Sequence, residues 1–175
     1  MAKEDIKIVR INSRDEIVVL LRKLESNAEK IKTLKEFLMD KYVGTCLQKE
    51  FNDTVLAIKE RGADIRKIVG KVHTDTYEAL TQLDKLLEAS EYIGESIAPN
   101  HKKNNYFWYF KVPVIIDKKR YEYVLNIGRN KFDGNIAIYD LTNYNKKDVN
   151  PNQISNMADI TSSKENISKQ SGKVK

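Results

Sequence analysis

The densest chemistry in the sequence lies between Lys59 and His73, where Lys59, Arg61, Arg66, Lys67 and Lys71 crowd around a single histidine. Cations gathered this closely can hold an RNA phosphate and stabilise the negative charge that builds as a phosphodiester is transesterified. Metal-independent cleavage of RNA asks for little more: a base for the 2′-hydroxyl, an acid for the leaving oxygen, and positive charge around the phosphate. His73 could act as either acid or base, because an unperturbed imidazole titrates close to neutrality. The plain alternative is a solvated helix face on which Glu60 and Asp64 partly neutralise ordinary surface lysines and arginines.

The whole-chain charge points the same way. Across 175 residues, 31 Lys and Arg stand against 25 Asp and Glu, a formal charge of +6. An excess of this size attracts polyanions, so nucleic acid is the first partner to consider, although a solubility role would produce the same balance. Other chemistries are disfavoured. His73 and His101 sit in no H-E-x-x-H or H-x-E pattern, and the glycines never take a dinucleotide or Walker spacing. No metal and no cofactor are therefore expected. Cys46 is the single cysteine, which excludes an internal disulfide and reads as a buried strand residue. No apolar run reaches the roughly 20 residues of a membrane span. Met1 to Asp5 carry no secretory apolar core. A soluble cytoplasmic chain without a membrane partner is the expectation.

The elements that must position these residues are legible from periodicity. Ile6 to Ile11 alternates and predicts a short strand; Ser13 and Glu16 form an S-x-x-E pattern that predicts a helix start. Ile17, Leu20, Leu21 and Leu24, then Ile31, Leu34, Phe37, Leu38 and Tyr42, give one or two helices over 14–43, with a possible break at Ser26–Asn27 and a stop near Gly44. Asn52–Asp53 predicts the turn of a small hairpin. Ala63, Ile65, Ile68 and Val69 suit a short helix ended by Gly70. Tyr77, Leu80, Leu83, Leu86 and Leu87 predict a further helix, capped by Thr74 or Asp75 and running to about Ser90. Residues 96–105 read as a polar, mobile loop.

Three strands follow: Tyr106 to Ile116, then Tyr121 to Ile127, then Ile136 to Leu141, joined by turns at 117–119 and Asp133–Gly134, an antiparallel meander. Ten of the 15 aromatic residues lie between Tyr106 and Tyr144. Trp108 and Phe110 read as core. Phe107 and Tyr109 could be core, or could stack on bases beside Lys111 if that face of the sheet is open. Residues 148–175 have no aromatic and are predicted to be a disordered tail. The expected architecture is α+β: a single domain over 1–147, with N-terminal helices followed by a curved antiparallel sheet built of a three-stranded meander plus a small hairpin.

Leu56-Ala57-Ile58-Lys59-Glu60-Arg61-Gly62 through His73, Tyr106-Phe107-Trp108-Tyr109-Phe110-Lys111-Val112-Pro113-Val114, Asp117-Lys118-Lys119-Arg120-Tyr121-Glu122-Tyr123-Val124-Leu125 and Ile138-Tyr139-Asp140-Leu141 occur in that order. Together they resemble the barnase/EndoU/colicin/RelE-like (BECR-type) nuclease domains at the ends of phage head-associated and large polyvalent proteins, over about 100 residues from Gly44 to Leu141. The resemblance implies a ribonuclease-like fold and a metal-independent RNA endonuclease, a toxin-like effector of phage or mobile-element origin. Its partners would be RNA, transfer RNA among the candidates, and a phage structural or antitoxin protein. Lys59 stands where the family often has a serine, Lys67 near its basic position, and His73 at its distal histidine. Tyr139 would donate a proton or a hydrogen bond to phosphate. The implied catalytic set is His73, Lys67 and Tyr139, with Lys59, Arg61, Arg66, Lys71 and Lys111 as RNA-binding residues. The alternative is a non-catalytic RNA- or protein-binding module that keeps this fold.

Overall fold

A computed structural model describes residues 7–71 and 76–144. In chain order it contains β1 (Val9–Ile11), α1 (Glu16–Lys23), α2 (Asn27–Tyr42), β2 (Cys46–Phe51), β3 (Thr54–Lys59), α3 (Gly62–Lys71), α4 (Tyr77–Leu80), α5 (Leu83–Ala89), β4 (Glu91–Ile97), β5 (Asn104–Ile116), β6 (Lys119–Asn130) and β7 (Ile136–Asn143). The class is mixed α+β with a mostly antiparallel sheet. The residues expected to form a disordered tail lie outside the described ones, as does His73.

The sheet is larger than a meander. Strands β5, β6 and β7 pair antiparallel as expected, but the other edge of β5 is shared by two further strands. Strand β4 pairs antiparallel with its first half, Ile97 opposite Tyr106, and β1 pairs parallel with its last residues, Val9 opposite Val114. Strand β4 occupies residues just after the expected helix end near Ser90 and the first two residues of the expected polar loop. Its signal is weak because Gly94 and Glu95 interrupt the alternation and its register slips between Tyr92 and Gly94.

Burial on β5 explains where the core sits. Trp108, Phe110, Val112 and Val114 on one face join Leu21, Leu34, Leu38, Ile65, Leu83 and Leu86 from the helices in one continuous core. The opposite face is not open. Phe107 is 6% and Tyr109 4% exposed, packed with Val124 beneath Ile93, Ala98, Tyr139 and Tyr144. The idea that these rings form a surface for bases is therefore corrected: the 93–98 segment and β7 cover them. Lys111 lies beside this second core, 4.0 Å from Glu122 and over the Tyr144 ring.

Local chemistry sets the element ends. The first helix pair does break at Ser26–Asn27, and Gly44 follows with a positive φ of 91°. The capping box lies elsewhere than expected. Helix α1 begins after Asp15, with no side-chain cap, whereas Ser26 accepts from the Glu29 N–H at 3.1 Å and donates to its carboxylate at 3.2 Å. The Leu-rich segment is two short helices. Thr81 donates its hydroxyl to the Glu78 carbonyl at 2.6 Å, a local bond that competes with helix continuation. Thr74 and Asp75, expected as its caps, fall outside the described residues. The turns at Asn52–Asp53 and Asp117–Lys118 hold all four residues at positive φ, which suits two-residue hairpin loops. Cys46 is exposed rather than buried, because β2 turns alternate residues outward from a two-stranded hairpin. Among the described residues no helix is long and apolar enough to cross a membrane.

Candidate functional site

The junction from β3 to α3 is fastened to the β6–β7 turn. Glu60 accepts the Ile138 N–H at 2.8 Å, the Asn135 side-chain amide reaches the Lys59 carbonyl at 3.5 Å, and Arg61 meets Asp133 at 2.9 Å. These bonds set the first turns of α3 alongside β7. Between them lies a small, partly open hollow lined by Arg61, Asp64, Lys67, Lys103 and Tyr139 among others.

Three residues singled out from the sequence thus come together: Arg61, Lys67 and Tyr139 share one concave surface. Lys59 and Arg66 are exposed on the same two elements and are not part of the groove lining; neither is Lys111. Lys71 ends α3, and His73 is outside the described residues. Arg61 does not enter the groove as a bare charge, since Asp64 at 3.0 Å and Asp133 at 2.9 Å both pair with it.

Lys67 is different. Its amine is pushed down to about 8, chiefly by the neighbouring Lys103 and then by burial. Two lysines that line the same hollow and repel each other form an arrangement that a bound anion would relieve. Asp64 offsets only part of the repulsion.

Tyr139 belongs to an aromatic triangle. Its ring centroid lies 5.1 Å from Phe107 and 5.5 Å from His101, and His101 lies 5.1 Å from Phe107, all edge-on. His101 Nδ1 accepts from the backbone N–H groups of Lys103 at 3.1 Å and Asn104 at 2.9 Å. That leaves the ring proton on Nε2, which meets the Tyr139 hydroxyl at 3.1 Å. The tyrosine hydroxyl accepts from the imidazole. Burial, with Asp140 nearby, pushes the phenol up to about 12, so it stays protonated at neutral pH.

Sequence reasoning missed His101, Lys103 and Glu60. The first two sit in the segment read as a mobile loop. Their signal was present: a histidine and two lysines, His101-Lys102-Lys103, directly before the strongest strand. Glu60 was read as a solvated neutralising charge. It is 2% exposed, and desolvation pushes its carboxyl up to about 8. One oxygen holds β7; the other, Oε1, has no hydrogen-bond partner among the described residues. Glu60 lies behind the groove wall rather than in its lining. Among the described residues no three His, Cys, Asp or Glu side chains gather as metal ligands.

In comparisons with family models, with curated proteins and with solved structures, the chain matches none.

Proposed function

We propose that the groove binds an RNA phosphodiester and that the protein is a metal-independent, ribonuclease-like endonuclease acting on cytoplasmic RNA. The observation that carries this reading is that Lys67, Lys103 and Tyr139 line one hollow, two mutually repelling lysines beside a hydroxyl where a phosphate would relieve the repulsion. In transphosphorylation the 2′-oxygen attacks phosphorus, the bond to the 5′-oxygen breaks, and a 2′,3′-cyclic phosphate forms. Lys67 and Lys103 set their side chains against the phosphoryl oxygens, where a bound phosphate relieves their mutual repulsion. Tyr139 lies beside them as a hydrogen-bonding group. His73 remains in this reading as the acid–base group, taking the 2′-hydroxyl proton and returning it to the leaving 5′-oxygen. The resemblance to BECR-type domains supports the same chemistry and a toxin-like role of phage or mobile-element origin.

A second reading is favoured by Arg61, whose charge is already held by Asp64 and Asp133. With Arg61 so engaged, Lys67 and Lys103 hold the RNA backbone, which suits a module that binds RNA without turning it over. One experiment separates the two: incubation with single-stranded RNA or transfer RNA in EDTA. Cyclic phosphate ends that disappear in the Lys67→Ala, His73→Ala variant support the nuclease. Salt-sensitive binding without products selects the binding module. Absence of both removes the groove reading altogether.

A further inference from the structure

Phe132 is 78% exposed, more than any other large hydrophobic residue among those described. Its turn, 131–135, is nevertheless tightly built. The Asn130 side-chain oxygen accepts from the N–H groups of Phe132 at 2.8 Å and Asp133 at 3.2 Å. Asn130 also exchanges backbone bonds with Gly134 and Asn135, and Asp133 accepts from the Asn135 N–H at 2.8 Å. Gly134 takes the positive φ of 74° that the turn requires. The phenyl ring is thus presented to solvent on a fixed backbone.

The neighbours on either side of this ring bond to two residues of the groove lining, Arg61 and Lys103. Asp133 pairs with Arg61. Lys131 donates from its backbone to the Lys103 carbonyl at 2.8 Å and from its ammonium to the His101 carbonyl at 2.5 Å, and that ammonium lies 5.5 Å from the centre of the Phe132 ring. Asn130 and Asn135, whose bonds shape the turn, also line the groove. An exposed aromatic face beside a cation, next to a cationic hollow, is the combination with which proteins hold single-stranded nucleic acid: rings take the bases and cations take the backbone.

Building on the groove reading above, we infer that Phe132 is a stacking platform for an unpaired nucleobase adjoining the bound phosphate, so that the substrate class is single-stranded RNA. A base inside a duplex has both faces stacked on its neighbours and none to offer the ring.

The test uses the purified full chain and a short 2′-O-methyl single strand, which binds without being cleaved because its nucleophile is blocked. The comparison probes are an abasic strand of the same length and the corresponding duplex. The wild type is expected to prefer the single strand to both. Phe132→Ala should lose about 5- to 100-fold in affinity for the single strand, the range of one stacked base, and change by less than about twofold on the abasic strand. Phe132→Trp should keep the affinity and report contact through quenching of the introduced indole. Equal affinity of Phe132→Ala and wild type for the single strand would overturn the proposal and leave the exposed ring to an apolar residue of a protein partner. So would equal losses on both strands. If Lys67→Ala, Lys103→Ala weakens binding to both strands while Phe132→Ala changes neither, the stacking idea falls and the groove survives. If the double variant changes nothing, the groove reading falls, and the stacking platform with it.

Discussion

His101 Nε2 and the Tyr139 hydroxyl meet at 3.1 Å, joining the loop before β5 to the last strand of the sheet. With Nδ1 of the same ring held by two backbone N–H groups, the imidazole faces the phenol with its N–H side. The pair converts a loop histidine into an orienting group for a tyrosine that borders the cationic groove.

Tyr139→Phe keeps the ring against Phe107 and His101 but removes the hydroxyl. Thermal stability should change by no more than about 1 kcal/mol, the scale of one hydrogen bond. RNA turnover should fall by about 100-fold if the hydroxyl assists in the transition state. His101→Ala should lower turnover less than Tyr139→Phe does, because it disorients the donor without deleting it. Single-turnover rates with a defined oligonucleotide measure both. Unchanged rates in Tyr139→Phe would remove the tyrosine from the site.

The Lys67–Lys103 contact predicts a pH dependence with a definite sign. Phosphate binds the protonated amine, so affinity for a single-stranded oligonucleotide should fall as pH rises through about 8. In Lys103→Ala the main cause of the depression is gone, and the midpoint should move up by roughly one to two units, even though overall affinity drops. Titration of binding between pH 6 and 10 gives the midpoint. A midpoint that stays in place in Lys103→Ala would mean that Lys103 does not set it.

Much of this arrangement was legible in the residues. The hairpin at 46–59, the α2 stop near Gly44 and the β5–β6–β7 pairing follow from alternation and turn residues, which are local signals. Strand β4 and the cover over Phe107 and Tyr109 were not, because β4 is specified by its pairing with β5 rather than by its own pattern. Arg61, Lys67 and Tyr139 could be singled out by type, yet their convergence depends on a long-range contact, Glu60 to the Ile138 N–H, that no periodicity encodes. Glu60 itself defied the rule that carboxylates lie on the surface, since a backbone partner and a raised pKa let it be buried.

Gly128 tests whether packing supports the site. A Cβ there would stand 3.0 Å from the Asn104 side chain and 3.0 Å from the Phe107 ring. Phe107 in turn carries His101 and Tyr139. Gly128→Ala should destabilise the fold by about 1–3 kcal/mol, the usual cost of overpacking. It should also reduce RNA turnover more than its stability loss explains. Denaturant unfolding and turnover measured on the same preparation distinguish the effects. Full activity in a variant that unfolds like the wild type would show that the site tolerates the shift.

Glu60 links the fold to pH. Its folded-state pKa is raised to about 8 from an ordinary 4.5, with desolvation and Asp64 acting against the Ile138 N–H and Arg61. Between those values the folded chain holds a proton that the unfolded chain releases. Its stabilising contribution is therefore complete below about 4.5 and is lost as pH rises through about 8. Glu60→Gln keeps an acceptor for the Ile138 N–H and cannot ionise. The variant should match the wild type near pH 5 and exceed it by a few kcal/mol near pH 9, where the wild type carries a buried carboxylate. Urea denaturation across that range reads the difference directly. Parallel stability curves for the two proteins would show that Glu60 ionises normally and that its burial is relieved before it charges.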